Sequence, residues 1–430
     1  MKLLVVVNNL LPKTNANTNI VYRLADELWE RYGDEILLLG TQTADQEEGT
    51  DVLYPTWQIP TVYEYQKKIP ETLGKKEKLL RVMMHPGLWE FRLRRAVDRY
   101  PLQRQYRRYL KKILRSEKDI DCVLCVSCPH DTIHAAARVV RGIPLASYQL
   151  DPWSTNLCYQ GNPRVKMEEA RALARCSAAF ITKEMERERR EGVYTPPLDT
   201  IVPLEFPCLL PPPVAENRFA AYGDSKIHCA YVGQLYSETV RGPGFLFSLF
   251  QSLEKYGIIL HIIGNSEVQA QQYRDQLPQN IILHGRVSPQ EAKAYMASAD
   301  ILVNMGNTIP NMLPSKTIDY ISCGKPILNL CKIPNCPTIP YMEKYPLSMV
   351  FLESESISAA QIKRVATFCT ENKGRSLSYA EVRDVFYECT PEYVAKRIHT
   401  TLQNIIAFPQ HKTKSHAHRI CQATTRKTIL

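Results

Sequence analysis

No apolar run in this 430-residue chain approaches the roughly 18 residues needed to cross a bilayer as a helix. The opening MKLLVVVNNLLP is too short and too quickly polar for a signal peptide, and it reads as a first strand. A cytoplasmic location is expected. Glycine is scarce, at 18 residues, and asparagine is the residue that best replaces it in left-handed backbone. Acidic residues are scarce locally. Residues 67–118 hold 17 Lys/Arg against 5 Asp/Glu, and residues 411–430 add about +5. With a whole-chain charge of +10, the remainder is net acidic, near −7.

What is present in ordinary amounts points to a globular protein. Hydrophobic residues make up 44% and charged residues 23%, and the length suits two domains, each with its own core. The 13 cysteines suggest reduced thiols. In DCVLCVSCPH, Cys122, Cys125 and Cys128 have metal-like spacing with His130 and His134 following. The same letters form an apolar strand in which Cys122 and Cys125 project to opposite faces, so the strand reading is preferred. Asp119-Ile120-Asp121 is read as a loop at the mouth of that strand. No metal is expected.

The basic stretch LWEFRLRRAVDRYPLQRQYRRYLKKILRSEK mixes arginines with aromatic and aliphatic residues at helical spacing. An anionic membrane surface fits it, and a solvated helical face with its apolar side in the core is the plain alternative. Nucleic acid is the weaker rival, and no such partner is expected. The tail from 409 to 430 has no periodic apolar pattern and reads as disordered.

Along the chain, strand and helix patterns alternate. KLLVVV, a helix over Thr18–Arg31, EILLLG, CVLCVS, DTIHAAARVV and PLASYQL give way to a proline cluster over 204–225. The alternation then restarts with IHCAYVG, a helix through GFLFSLFQSLEKYG, IILHIIG, a helix near 267–276, NIILHG, SPQEAKAYMASA, DILVNMG and PILNL. This predicts two doubly wound parallel-sheet α/β domains. They span 1–203, with the basic insertion at 67–118, and 226–390; a last helix covers 391–408. Ligands of such sheets lie outside the carboxyl ends of the strands, where VGQ with Gly233, IGN with Gly264 and HGR with Arg286 fall.

NMLPSKTIDYISCGKPI, residues 311–327, belongs to that rim. Ser315 suits an N-cap, Lys316–Ser322 makes about two helical turns, and Gly324 fits the left-handed C′ position before Pro326. A helix start beside the Lys316 ammonium favours an anion such as phosphate.

The ordered set YVGQLYSETVRGPGFLFSLFQSL, HIIGN, ILHGRVSPQEAKAYMASADILVN and LPSKTIDYISCGKPIL resembles the donor half of the retaining glycosyltransferases of family 4. MKLLVVVNNLLP, GIPLASYQLDPW and AAFITKEMERERR are similar to the acceptor half, so the resemblance covers about residues 1–408. It implies the two-domain GT-B architecture, with domains facing each other across a cleft and the last helix crossing back to the first domain. It also implies a nucleotide-diphosphate-sugar as donor substrate, a sugar or lipid-linked sugar as acceptor, and no cofactor.

By the resemblance, Arg241 and Lys316, with backbone N–H groups near Ser315, hold the donor diphosphate. Asn311 and Asp319 stand where the family has two glutamates, directed at the sugar and at the ribose. Asp319 keeps a carboxylate, one methylene shorter, whereas Asn311 is neutral. Gln234 replaces an arginine common in the family, and NANTN at 15–19 replaces a glycine pair. Asp151, in the DPW setting, is the implied catalytic residue, and capping of the turn before Pro152 is its structural alternative. Two other readings follow from these departures: a non-catalytic nucleotide-sugar binder of this fold, and a nucleotide-sugar hydrolase or epimerase.

Overall fold

The computed structural model describes residues 1–8, 10, 16–42, 54–60, 74, 76–77, 100, 102–127, 130–156, 162–214, 216–222, 225–235, 242–264, 277–353 and 357–408. Arg241, Cys128, most of the basic stretch before Leu102, the helix expected near 267–276 and the tail from 409 lie outside these residues. The chain divides into two compact units, Met1–Glu205 with the chain from Val394 onward, and Phe206–Tyr393.

The first unit holds β1 (Lys2–Val6), α1 (Ala16–Tyr32), β2 (Glu35–Gln42), β3 (Thr56–Pro60), α2 (Gln103–Ser116), β4 (Cys122–Ser127), α3 (Asp131–Val139), β5 (Leu145–Gln149), α4 (Pro163–Leu173), β6 (Ala178–Ile181), α5 (Lys183–Arg190) and β7 (Ile201–Pro203). The strands form one sheet in the order β3-β2-β1-β4-β5-β6-β7, every pairing parallel. β4 and β5 are buried along their whole length and β1 from Leu3 to Val6, and β1 and β4 read as near-continuous apolar runs, as strands covered on both faces do. Leu4, Val6, Val123, Cys125, Leu145 and Ala179 belong to one core with Tyr106, Leu110 and Ile113 of α2. The i, i+4, i+7 spacing of those α2 residues buries one stripe and leaves Arg104, Arg108, Lys111, Lys112 and Arg115 exposed. The NANTN stretch does not form a loop over its described residues: Ala16–Asn19 are the first turn of α1, with Thr18 buried.

The second unit holds β8 (Ile227–Val232), α6 (Gly244–Leu253), β9 (Ile258–Ile263), β10 (Ile281–Gly285), α7 (Pro289–Ser298), β11 (Ile301–Met305), α8 (Lys316–Ser322), β12 (Ile327–Cys331), α9 (Ile339–Lys344), β13 (Ser348–Leu352), α10 (Ala359–Asn372) and α11 (Tyr379–Val385). Its sheet is parallel, in the order β10-β9-β8-β11-β12-β13. Phe206, Leu209 and Phe219, from the proline-rich stretch, are buried. The Leu209 N–H donates to the Cys389 carbonyl at 3.0 Å, and Tyr379 Oη donates to the Leu209 carbonyl at 3.2 Å.

The chain leaves the second unit inside α12 (Pro391–Ala407). Its stripe Val394, Ile398, Leu402 and Ile405 is buried, and His399 stacks on Tyr32 at 4.0 Å and meets Asp34 at 2.7 Å.

Candidate nucleotide-sugar site

The order of the second sheet reverses direction between β8 and β11, and it is at such a switch point, beyond the carboxyl ends of the strands, that ligands of this fold class are bound. Three glycines close the strands on one side of that point. The Gly233 N–H donates to the Ile263 carbonyl at 2.9 Å, and the Gly264 N–H donates to the Gly285 carbonyl at 2.8 Å. Gly264 has φ +140°, and a Cβ there would lie 2.2 Å from the Gly233 carbonyl oxygen, so glycine is required. Arg286 follows Gly285 with its side chain exposed.

On the other side stands α8. It spans the residues expected, and it ends as expected: Gly324 has φ +68°, and any Cβ would strike the Leu377 carbonyl. Its start differs. Ser315 has helical dihedrals, φ −57° and ψ −28°, and its side chain makes no cap bond. The chain enters through a tight turn from Pro314, whose carbonyl accepts the Thr317 N–H at 2.9 Å, so the first free amide has a backbone partner and the hydroxyl is not needed as a cap. A two-turn helix also adds little dipole, and the charge at this spot is that of Lys316 itself.

Lys316 Nζ lies 3.2 Å from Asp319 Oδ2, one turn further along the same face. Thr317 and Tyr320 point the other way and are buried. Asn304 of β11 donates to Thr317 Oγ1 at 3.3 Å and to Asn329 Oδ1 at 2.7 Å, which fixes the start of α8 on the sheet. The loop before α8 is braced by Asn307, whose amide donates to the Met312 carbonyl at 3.1 Å and whose Oδ1 accepts the Ile309 N–H at 2.8 Å. Asn311 is buried in that loop.

Asp151 lies in the first unit, half-buried at the exit of β5, and the Pro152 and Trp153 that follow are buried. Trp153 stacks on His130 at 4.5 Å and donates from Nε1 to Tyr100 Oη at 3.0 Å. Burial pushes the His130 imidazole down to about 3. Glu169 Oε2 accepts the Ser154 N–H at 3.2 Å, and burial, opposed by that bond, holds its carboxyl up at about 7. Tyr106 Oη donates to the Val7 carbonyl at 2.8 Å beside Asn8, at the exit of β1.

The strand reading of the cysteine-rich stretch agrees with the structure over its described part. Cys122 and Cys125 are buried in β4, and burial pushes both thiols far up, away from the thiolate that binds metal. Asp119 and Asp121 are engaged by Lys2, through its ammonium at 3.0 Å and its N–H at 2.7 Å.

Residues beyond the sequence reading also appear. His228 Nδ1 meets His261 Nε2 at 3.0 Å, His261 Nδ1 meets His284 Nε2 at 2.9 Å, and His284 Nδ1 meets Tyr295 Oη at 3.2 Å, a chain running across β8, β9 and β10 to α7. Tyr320 reaches the backbone of Val232. The histidines had no motif, and nothing in the motif that holds Tyr320 pointed to Val232; both contacts join residues far apart in sequence.

No protein-family model matches the chain, and no curated protein matches it in sequence. Its fold is shared with solved structures. Sucrose-phosphate synthase from Thermosynechococcus elongatus superposes with a TM-score of 0.63 at 12% identity, covering 95% of this chain and 100% of that one. Anabaena HepE in complex with UDP gives 0.60 at 12%, covering 94% and 100%. UDP-GlcNAc 2-epimerase from Neisseria meningitidis, bound to UDP-GlcNAc, gives 0.56 at 13%, covering 94% and 100%. The first two are GT-B glycosyltransferases, and at these identities the likeness speaks for fold. The chain has the GT-B fold, two Rossmann-like domains built on seven- and six-stranded parallel sheets.

Proposed function

We propose that this protein is a retaining glycosyltransferase of the family 4 type, moving a sugar from a nucleotide-diphosphate-sugar to an acceptor hydroxyl in the synthesis of a cell-surface polysaccharide or glycolipid. The observation that carries the reading is that Tyr320, directly after Asp319, bonds to Val232, directly before Gly233, at the switch point of the second sheet, so the glycine turn of β8 and the Lys316–Asp319 pair belong to one neighbourhood. The glycines let the ends of β8 and β9 pack backbone against backbone. The ammonium suits a diphosphate, and the carboxylate accepts from two ribose hydroxyls.

In this reading Lys316, with Arg241, which lies between β8 and α6 in the sequence, neutralises the departing diphosphate, and Ser315, Gly233, Gly264 and Arg286 belong to the same donor site. Two protein cations meet that charge without a metal ion or cofactor. Asn311 is assigned to the sugar end of the donor, and Asp151 to the acceptor hydroxyl or the anomeric centre. Small soluble sugars and lipid-linked sugars both fit as acceptors. A lipid-linked one would be met at the inner membrane face, where the exposed basic side of α2 suits anionic headgroups.

The likeness to the UDP-GlcNAc 2-epimerase favours one second reading, a nucleotide-sugar epimerase or hydrolase. A panel of nucleotide-sugars, screened by thermal stabilisation and then by release of nucleoside diphosphate in excess chelator, separates the two. The transferase releases diphosphate only when an acceptor is added. Release without acceptor favours a hydrolase, conversion of one nucleotide-sugar into its epimer without net release favours an epimerase, and stabilisation with neither favours a binding protein.

A further inference from the structure

The two strands at the switch point separate before they end. β8 keeps register with β9 along its whole length, to Val232 opposite Ile263, whereas its register with β11 stops at Ala230 opposite Leu302. β11 continues to Met305 against β12. Beyond Ala230, the β11 side of β8 therefore has no ladder, and its backbone groups need other partners.

One side chain supplies them. The Val232 N–H donates to Tyr320 Oη at 2.7 Å, and Tyr320 Oη donates to the Val232 carbonyl at 3.1 Å. The hydroxyl thus acts as the next rung of the ladder, buried at 1% exposure. Tyr320 belongs to α8, directly after Asp319 and four residues after Lys316, and Val232 directly precedes Gly233. A single hydroxyl joins the halves of the candidate site, the glycine turn of β8 and the charged pair of α8. The tether from Asn304 to Thr317 holds α8 to β11 but does not reach β8.

We propose that Tyr320 is a positioning residue: its hydroxyl sets the separation between the Gly233 backbone and the Lys316–Asp319 pair, and with it the fit of a nucleoside diphosphate between them. This rests on the nucleotide-sugar reading of the site. Without the hydroxyl, two buried backbone groups lose their partner, and water or a shift of α8 must satisfy them. A shift of α8 moves Lys316 relative to the glycine turn, and a water in the hydroxyl's place leaves their separation without a covalently anchored tether.

Calorimetry with UDP as the probe tests this on four proteins: wild type, Tyr320→Phe, Lys316→Ala and the double variant. Tyr320→Phe is expected to weaken UDP about tenfold and Lys316→Ala about ten- to a hundred-fold, and the double variant to bind no more weakly than the worse single one, because a displaced Lys316 has little left to lose. Multiplying losses in the double variant, or a Tyr320→Phe protein that binds UDP as the wild type does, overturns the inference while leaving the site reading in place. A wild type that binds none of the nucleoside diphosphates overturns the site reading and this inference with it. A purely structural hydroxyl would lower melting temperature without changing affinity or the coupling to Lys316. Should Tyr320→Phe not fold, hydrogen exchange on the wild type gives the same test: UDP is expected to slow exchange in 227–235 and 316–322 together, and protection of one segment alone overturns the link.

Discussion

The Lys316 side chain is 40% exposed, and its ammonium lies 3.2 Å from the carboxylate of Asp319, whose side chain is 22% exposed. An ion pair in that setting adds at most about 1 kcal/mol to stability, because water screens it and both side chains must be held still. Against a bound diphosphate the same ammonium makes a charge-assisted contact worth roughly 1.5 to 3 kcal/mol. The two quantities separate a ligand-binding lysine from a stabilising one. Lys316→Ala is expected to weaken binding of a nucleoside diphosphate about ten- to a hundred-fold, with a change in folding stability below about 1 kcal/mol. Calorimetric titration beside a denaturant melt checks both, and unchanged affinity would remove Lys316 from the site. Lys316 and Asp319 were legible because they lie one helical turn apart in a segment with its own stop signals. Ser315 as a cap was not, because a cap is defined by backbone dihedrals, and here a turn from Pro314 already occupies that role. Tyr320 was hidden for a further reason: its partner, Val232, lies 88 residues away and lacks a ladder bond only because β8 and β11 part.

At the scale of elements, α2 shows how a charge bias becomes a surface. Its buried stripe of Tyr106, Leu110 and Ile113 anchors it to the first core, which forces Arg104, Arg108, Lys111 and Arg115 outward along one face, with Lys112 set over the Trp57 ring at 4.9 Å. The sequence pattern gave both halves of that arrangement, since 3.6-residue periodicity separates core from solvent without tertiary information. It also placed nine of the thirteen described parallel strands, most of them apolar runs buried on both faces, but not β3, β6, β7 or β13. It could not give the histidine chain across β8, β9 and β10, whose members are 33 and 23 residues apart and meet only through strand order. If the outer face of α2 rests on anionic lipid, each cation near the surface contributes about 1 kcal/mol, in a way that salt reverses. Changing Arg104, Arg108, Lys111 and Arg115 to glutamate is expected to abolish co-sedimentation with phosphatidylserine-containing vesicles at low salt while leaving UDP affinity unchanged. Equal sedimentation of the two proteins would make α2 a solvated face and favour a soluble acceptor.

Over the whole molecule, the buried titratable groups give the two units opposite responses to pH. In the first unit, burial holds Glu169 and Glu184 up at about 7, from an ordinary 4.5, and holds His130 down at about 3, from 6.5. Between pH 4.5 and 6.5 the folded unit therefore keeps two carboxyl protons that the unfolded chain has released, and lacks the one that unfolded His130 has taken up. The folded form binds the net extra proton, so raising the pH through this window lowers its stability. In the second unit, burial, helped by its neighbours His284 and His228, pushes His261 down to about 3, and burial also lowers His284. There the unfolded chain binds the extra protons, and raising the pH through the same window adds stability. Multidomain chains need not unfold in one step, and this one carries its own reporter, since Trp29, Trp57 and Trp153 belong to the first unit and the sequence of the second, Phe206–Tyr393, has no tryptophan. Between about pH 5 and pH 6.5, the transition seen by tryptophan fluorescence is expected to move to lower temperature, and a calorimetric transition silent in fluorescence to higher temperature. His261→Gln should remove most of the rise in the second transition and leave the first where it was. A shift of both transitions in the same direction would mean that the buried histidines of the second unit, or the buried glutamates of the first, reach water in the folded protein.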